Sequence, residues 1–201
     1  FIEAFLRIVP DVSAAAAAAR RHAERGLELD AMDPFVNFTM GRVHWLTDDA
    51  ATARHWLTRA TTINPNYAQG FYASGFTSML MGDAAATETA IEAALDLSPI
   101  DPLLYGMYGV RAQMLLQQQD YAAAARWANK AATAPGAHHL IALIAVAACG
   151  LAGEDQQARR WSLAARSKRQ DVSSGDYSRA FPIRNGDARL RIETELRRFG
   201  F

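Results

Sequence analysis

The stretch that decides the fold is residues 53–65, which read ARHWLTRATTINP. In it a tryptophan follows an alanine by three residues, and a second alanine follows the tryptophan by four. The same Ala-x-x-Trp-x-x-x-Ala spacing returns at residues 124–131 and 158–165. Because the spacing recurs, the His55–Trp56 pair is interpreted as part of a repeated scaffold rather than as an isolated site.

A period of 34 residues runs through the first half of the chain. It links two columns of small or turn-forming residues, which are Ala31, Pro65 and Pro99 in one and Gly41, Gly75 and Gly109 in the other. Small residues let two helices approach closely, and proline cannot continue a helix. Each unit is therefore predicted to be a helix, a short turn, a second helix and a proline-bearing turn. One such pair cannot bury its apolar face alone, so the units must stack.

This pattern resembles the tetratricopeptide repeat (TPR), and the resemblance covers about residues 11–170. It implies an all-α fold, a right-handed α-α superhelical solenoid of TPR helix pairs with a C-terminal capping helix. Residues 1–170 are expected to form the TPR array, and 171–201 a linker and the capping helix. The array divides into a degenerate first unit, 1–30, and four fuller units, 31–64, 65–98, 99–134 and 135–170.

The periodicity predicts ten helices in the array and one after it. The array helices are expected at 2–9, 13–29, 34–46, 49–63, 67–81, 83–97, 102–118, 121–133, 137–151 and 154–169. A polar loop then leads to a capping helix at about 186–199, where Ile192, Leu196 and Phe199 recur at helical spacing. Such a helix would cover the last exposed apolar face of the array.

Three segments are similar to the TPR regions of bacterial multidomain regulators. They are LELDAMDP at 27–34, LSPIDPLLYG at 97–106 and AFPIRNGDARLRIETELRRFGF at 180–201. In that group the repeats follow an effector domain, either a nucleotide cyclase or a winged-helix DNA-binding domain. The resemblance implies the regulatory or sensory module of a bacterial signalling or transcription protein. A free-standing TPR adaptor or assembly factor is the alternative.

The composition of the chain limits which classes of partner and which cellular compartment we expect. The chain has 21 basic and 21 acidic residues, so overall charge does not favour a nucleic acid or an anionic membrane. The basic excess in residues 154–201 is interpreted as solvated helix faces, so nucleic-acid binding is not expected. The longest apolar run, 140–152, is too short to span a bilayer. The one cysteine, Cys149, is compatible with a reducing compartment, and a cytoplasmic location is expected.

The sequence contains no recognisable catalytic or metal-binding motif. The five histidines are not spaced as metal ligands, and the adjacent pair His138–His139 would diverge by roughly 100° on a helix. Neither a phosphate loop nor a nucleophile elbow is present. We therefore expect no enzyme activity, no metal and no cofactor from this chain.

The concave surface of the solenoid is the candidate site, because the first helix of each unit lines it. The residues expected there are Phe35, Phe38, Arg42, Trp45, Gln69, Tyr72, Phe76, Met79, Met107, Leu140 and Leu143. Apart from Arg42 they lack the Lys, Arg and Asn with which some TPRs bind a peptide C-terminus. An apolar groove of this size needs an occupant. A helix from a partner, a second protomer of a homodimer, and the N-terminal segment FIEAFLRIV are the alternatives, unless these residues are simply core between units.

Overall fold

The computed structural model describes all 201 residues, and every regular element in it is a helix. The twelve helices are α1 (Ile2–Phe5), α2 (Val12–Leu29), α3 (Pro34–Trp45), α4 (Ala50–Ile63), α5 (Ala68–Met81), α6 (Ala84–Leu97), α7 (Leu104–Gln117), α8 (Tyr121–Thr133), α9 (His139–Leu151), α10 (Asp155–Lys168), α11 (Ser174–Ala180) and α12 (Gly186–Arg198).

Aspartates start half of the ten long helices. In five of them the residue before the helix is an Asp whose carboxylate accepts a hydrogen bond from a backbone N–H of the first turn; these are Asp11, Asp33, Asp49, Asp83 and Asp120. The first N–H groups of a helix have no intrahelical acceptor, so the carboxylate satisfies one of them. The repeated aspartates therefore set where these five helices begin.

The long helices pack in pairs along the chain: α3 with α4, α5 with α6, α7 with α8, and α9 with α10. Glycines stand where the two helices of a pair approach most closely. A Cβ on Gly41 would lie 2.6 Å from Cγ of Leu57, and one on Gly75 would lie 2.8 Å from Cδ1 of Ile91. The glycine column at 34-residue spacing is thus a packing feature, and consecutive pairs stack into the expected all-α superhelical solenoid.

The main hydrophobic core is centred on α9. Residues 139–150 are all buried, since α9 is covered by α7, α8, α10, α11 and α12. This explains the apolar run at 140–152, because a helix covered on every side must be apolar all round. None of the twelve helices combines the length and apolar character that crossing a membrane requires.

The three tryptophans of the repeated spacing lie between helices. Trp161 is buried, and its Nε1 donates to Oδ1 of Asn129 on α8 at 2.6 Å. Trp127 lies beside the ring of Tyr108, with 5.5 Å between ring centroids. Trp56 packs against a small cluster contributed by α2 and α3. They serve the scaffold, as the repeat indicates.

Two helices at the ends differ from the predicted ones. The first ends at Phe5 rather than residue 9, since Arg7 adopts a φ of 53°, which a right-handed helix cannot contain. The expected polar loop after residue 170 contains α11, which begins with a capping box between Ser173 and Asp176. The seven-residue helix is short and mostly polar, so hydrophobic periodicity did not reveal it.

Candidate functional site: the concave face

The face formed by α3, α5, α7 and α9 is here termed the concave face. Of the residues predicted to line it, the buried ones are Phe38, Phe76, Met79, Met107, Leu140 and Leu143. Phe38 packs with Leu57 and Ala60 of α4, so it is core of its own unit. Phe35 is 60% exposed beside Phe38. Arg42, Trp45, Gln69 and Tyr72 are half-buried.

The N-terminal helix α1 lies on the concave face. The guanidinium carbon of Arg42 is 3.9 Å from the centroid of the Phe1 ring, and Trp45 meets the same ring edge-on at 5.9 Å. Phe5 contacts Phe76 edge-on at 6.3 Å. Of the three occupants considered from the sequence, the N-terminal segment is the one found here.

The packing around α1 is incomplete. A partly open cavity of about 100 Å³ lies between α1, α2, α3 and α11, and a second of about 20 Å³ lies beside Phe5 on the side of α5, α7 and α9. One polar contact fastens the end of the segment, where Nη1 of Arg169 donates to the carbonyl of Leu6 at 3.2 Å.

A second part of the chain, residues 172–185, also covers the concave face and is here termed the return segment. Tyr177 is fully buried, and its hydroxyl donates to Oε1 of Gln113 on α7 at 2.9 Å. Phe181 lies 6.0 Å from the ring of Phe76. The backbone N–H of Arg184 donates to the carbonyl of Leu80 at 3.1 Å. The repeat pattern does not predict this covering, although Tyr177 and the residues FPI at 181–183 within a polar stretch are a signal for it.

Replacing Tyr177 by phenylalanine should cost about 1–3 kcal/mol of unfolding free energy, because Gln113 would be left as a buried amide without its partner. Burial also raises the pKa of Tyr177, so its hydroxyl stays protonated and available to donate. Chemical denaturation of Tyr177→Phe checks this. Tyr121→Phe, in a half-buried tyrosine of α8, serves as the control, and an equal loss in both variants would contradict the role of the Gln113 contact.

Arg42 is the one predicted lining residue that carries a charge. It forms no salt bridge, and its Nε is buried without a hydrogen-bond partner. Its guanidinium carbon also lies 5.0 Å from the Phe38 centroid and 5.7 Å from that of Trp45. Burial lowers the pKa of Arg42. Cation–π contacts thus hold the guanidinium, while its hydrogen-bonding edge has no anionic partner.

Three tyrosines from the next two units lie near this arginine. Burial raises the pKa of Tyr67 to about 12, and the charge of Arg42 opposes that shift. Burial also raises the pKa values of Tyr72 and Tyr105, again against the influence of Arg42. The Tyr67 hydroxyl is buried without a partner. All three hydroxyls are therefore neutral, and Arg42 is not balanced by an anion from them.

His138 and His139 lie where α9 begins. Burial lowers the pKa of His138 to about 3, and the charges of His139 and Lys168 act in the same direction. Burial also lowers the pKa of His139, with Arg169 adding to the effect. Nδ1 of His138 and Nε2 of His139 have no hydrogen-bond partner. Both rings are neutral in the folded protein at neutral pH.

Acidification should destabilise the protein partly through His138. Since its folded pKa lies below the unfolded value of 6.5, its contribution is fully present above pH 6.5 and is lost as the pH falls towards 3. We expect the wild type to lose about 1–2 kcal/mol more than His138→Gln between pH 7 and pH 5. Denaturation at both pH values measures the difference. Replacement of the exposed His55 is the control, and a wild-type loss equal to that of His138→Gln would refute the prediction.

Reactive groups do not gather on this face. Burial raises the pKa of Cys149 to about 12, so its thiol is protonated at neutral pH. No three His, Cys, Asp or Glu side chains lie together as a group that could hold a metal ion. The residues predicted to line this face are instead apolar or aromatic, apart from Gln69 and the charged Arg42.

Comparison with known proteins identifies a structural relative. No protein-family model and no curated protein sequence matches the chain. Among solved structures it is similar to YrrB, a TPR protein described as having an unusual peptide-binding site. The two are 10% identical in sequence with a TM-score of 0.56, over 89% of this chain and 92% of YrrB. The TPR fold is therefore shared.

Proposed function

We propose that this chain is a protein-interaction scaffold that holds an apolar helix on its concave face. The observation that carries the proposal is α1, which presents Phe1, Ala4 and Phe5 to that face as a bound peptide helix would. Helix-in-groove recognition works through such apolar anchors one turn apart. YrrB, which shares the fold, is itself described as having a peptide-binding site.

The incomplete packing of α1 supports the idea that another helix can replace it. Tethering through the short segment 6–11 gives α1 an effective concentration in the millimolar range. A partner helix of equal intrinsic affinity would therefore compete only at similar concentrations. A partner that fills the 100 Å³ cavity, or that makes a contact α1 lacks, would compete at lower ones.

The test is a peptide of residues 1–9, labelled with fluorescein, titrated with the full chain and followed by fluorescence anisotropy. Phe1→Ala combined with Phe5→Ala weakens the internal competitor, so this double variant should bind the peptide at least about tenfold more tightly than the wild type. Ile8→Ala, at a residue 61% exposed, is the control and should bind like the wild type. Absence of binding to the double variant would refute the proposal.

The same variants address the homodimer alternative. If a second protomer supplies the helix, the double variant should remain monomeric in sedimentation velocity, because its own α1 can no longer serve a neighbour. A dimer that persists in the double variant would place self-association elsewhere on the surface.

We further propose that the scaffold is the regulatory or sensory module of a bacterial signalling or transcription regulator in the cytoplasm. The support is the similarity of residues 27–34, 97–106 and 180–201 to the corresponding phrases of such proteins. Reading the gene upstream of Phe1 tests this. A cyclase or winged-helix domain there would support it, whereas a start codon there would favour a free-standing adaptor or assembly factor.

A further inference from the structure

Three residues of the N-terminal segment, Phe1, Ala4 and Phe5, show which side chains the concave face accepts from a helix. Phe1 occupies a first aromatic position, stacked on Arg42. Phe5 occupies a second, between Phe76 and Phe181 at 6.3 and 6.5 Å. Ala4, 3% exposed, is buried against the face and lines the cavity of about 100 Å³. The sequence that α1 and Phe1 present therefore reads aromatic-x-x-small-aromatic.

One feature of the face is not matched by α1. Arg42 has no salt bridge and its Nε is buried without a partner, while the one acid of α1, Glu3, is exposed and pairs with nothing. Removing a guanidinium from water without an anion is costly, and pairing with a carboxylate recovers part of that cost through two parallel N–H···O bonds. The stacked rings cover faces of the guanidinium and leave its edge for such a pair.

The surroundings of Arg42 favour an anion with a single charge. Its neighbours Tyr67, Tyr72 and Tyr105 are neutral hydroxyls, which can donate to an acceptor without adding charge. A carboxylate balances the guanidinium one to one, whereas a doubly charged phosphate would bring one negative charge more than Arg42 neutralises.

We propose that the concave face recognises a helix in trans that carries the pattern aromatic-x-x-small-aromatic and, next to the first aromatic residue, a carboxylate that pairs with Arg42. This rests on the proposed function, since the ligand uses the face that α1 covers. The carboxylate is the contact that lets the ligand displace α1 despite its tether. The internal helix then acts as an incomplete copy of the ligand.

The experiment compares acidic and amide peptides on the Phe1→Ala/Phe5→Ala protein. Starting from residues 1–9, one pair of peptides places Glu or Gln directly before Phe1, and a second pair places Glu or Gln at Ile2. Because a hydrogen-bonded charge pair on a desolvated guanidinium is worth about a factor of ten or more, one of the Glu peptides should bind about tenfold more tightly than its Gln match. Fluorescence anisotropy measures the dissociation constant of each of the four peptides.

Variants of the protein assign the preference to Arg42. Arg42→Met should remove the difference between Glu and Gln peptides while both still bind. Arg42→Lys should retain part of it, since a lysine keeps the charge but not the bidentate geometry. Arg59→Met is the control, because Arg59 also lies over a tryptophan ring, that of Trp56, but on α4. It should keep the full preference.

Each outcome bears on one proposal. If Glu and Gln peptides bind equally in both pairs, the carboxylate proposal is overturned while helix binding stands. If none of the four binds, both proposals fail. If inorganic phosphate at low millimolar concentration abolishes the preference but acetate at the same concentration does not, the site prefers a dianion and the carboxylate assignment is overturned. The comparison of Glu and Gln needs no Arg42 variant, so it holds even if Arg42→Met fails to fold.

Discussion

Leu143→Ala should lower the free energy of unfolding by about 2–5 kcal/mol, because it empties a fully buried position in a helix covered on every side. Leu143 is 0% exposed, and the helices around α9 cannot close on the cavity without moving apart from their own neighbours. Chemical denaturation followed by far-UV circular dichroism measures the loss.

Leu163 provides a matched control for this substitution. It is a leucine in the next helix, α10, and is 71% exposed, so Leu163→Ala should stay within about 0.5 kcal/mol of the wild type. If the two variants were equally stable, α9 would not be the centre of the core. The comparison also separates a core role of Leu143 from the groove role predicted for it, since a free groove residue would tolerate alanine.

Phe181→Ala should cost about 3–5 kcal/mol, because this ring joins the return segment to the rest of the concave face. Phe181 is 3% exposed and lies within 6.5 Å of the rings of Phe5, Phe76 and Tyr177. Its removal should also loosen α1, which would appear as faster amide hydrogen exchange at residues 5–8, because their backbone N–H groups donate to carbonyls of residues 1–4.

Phe35→Ala is the control for Phe181, since that ring is 60% exposed. It should leave both the unfolding free energy and the exchange near α1 close to those of the wild type. Loss of stability without faster exchange at residues 5–8 would mean that the return segment and α1 are held independently of each other.

The sequence alone predicts the repeating part of this fold well. Proline, glycine and tryptophan recur in register because each meets the same packing need in the units that carry it, as the close approach of Gly41 to Leu57 illustrates. Every long helix was predicted to within a few residues. A packing requirement shared by several units produces a periodic pattern of residues, and a single sequence is enough to show that pattern.

The coverings of the concave face could be predicted less well, for a physical reason. Which segment lies there depends on contacts between distant residues, such as Tyr177 with Gln113 and Phe5 with Phe76. Such contacts occur once and leave no period in the sequence. The sequence leaves the N-terminal segment as one of three alternatives and gives no period that would place the return segment there. That the guanidinium of Arg42 has no ionic partner likewise depends on where its neighbours lie in the fold, which the sequence does not show.

The hydrogen bond between Arg169 and the carbonyl of Leu6 joins residues 163 positions apart. In an ordinary linear array each unit touches only its neighbours, so the ends can fray separately and folding can start anywhere. Here the first and last segments meet over the middle of the array, which raises the sequence separation of its contacts and delays the final closure. Because these contacts join the first and last segments, we expect the two segments to unfold in one cooperative transition.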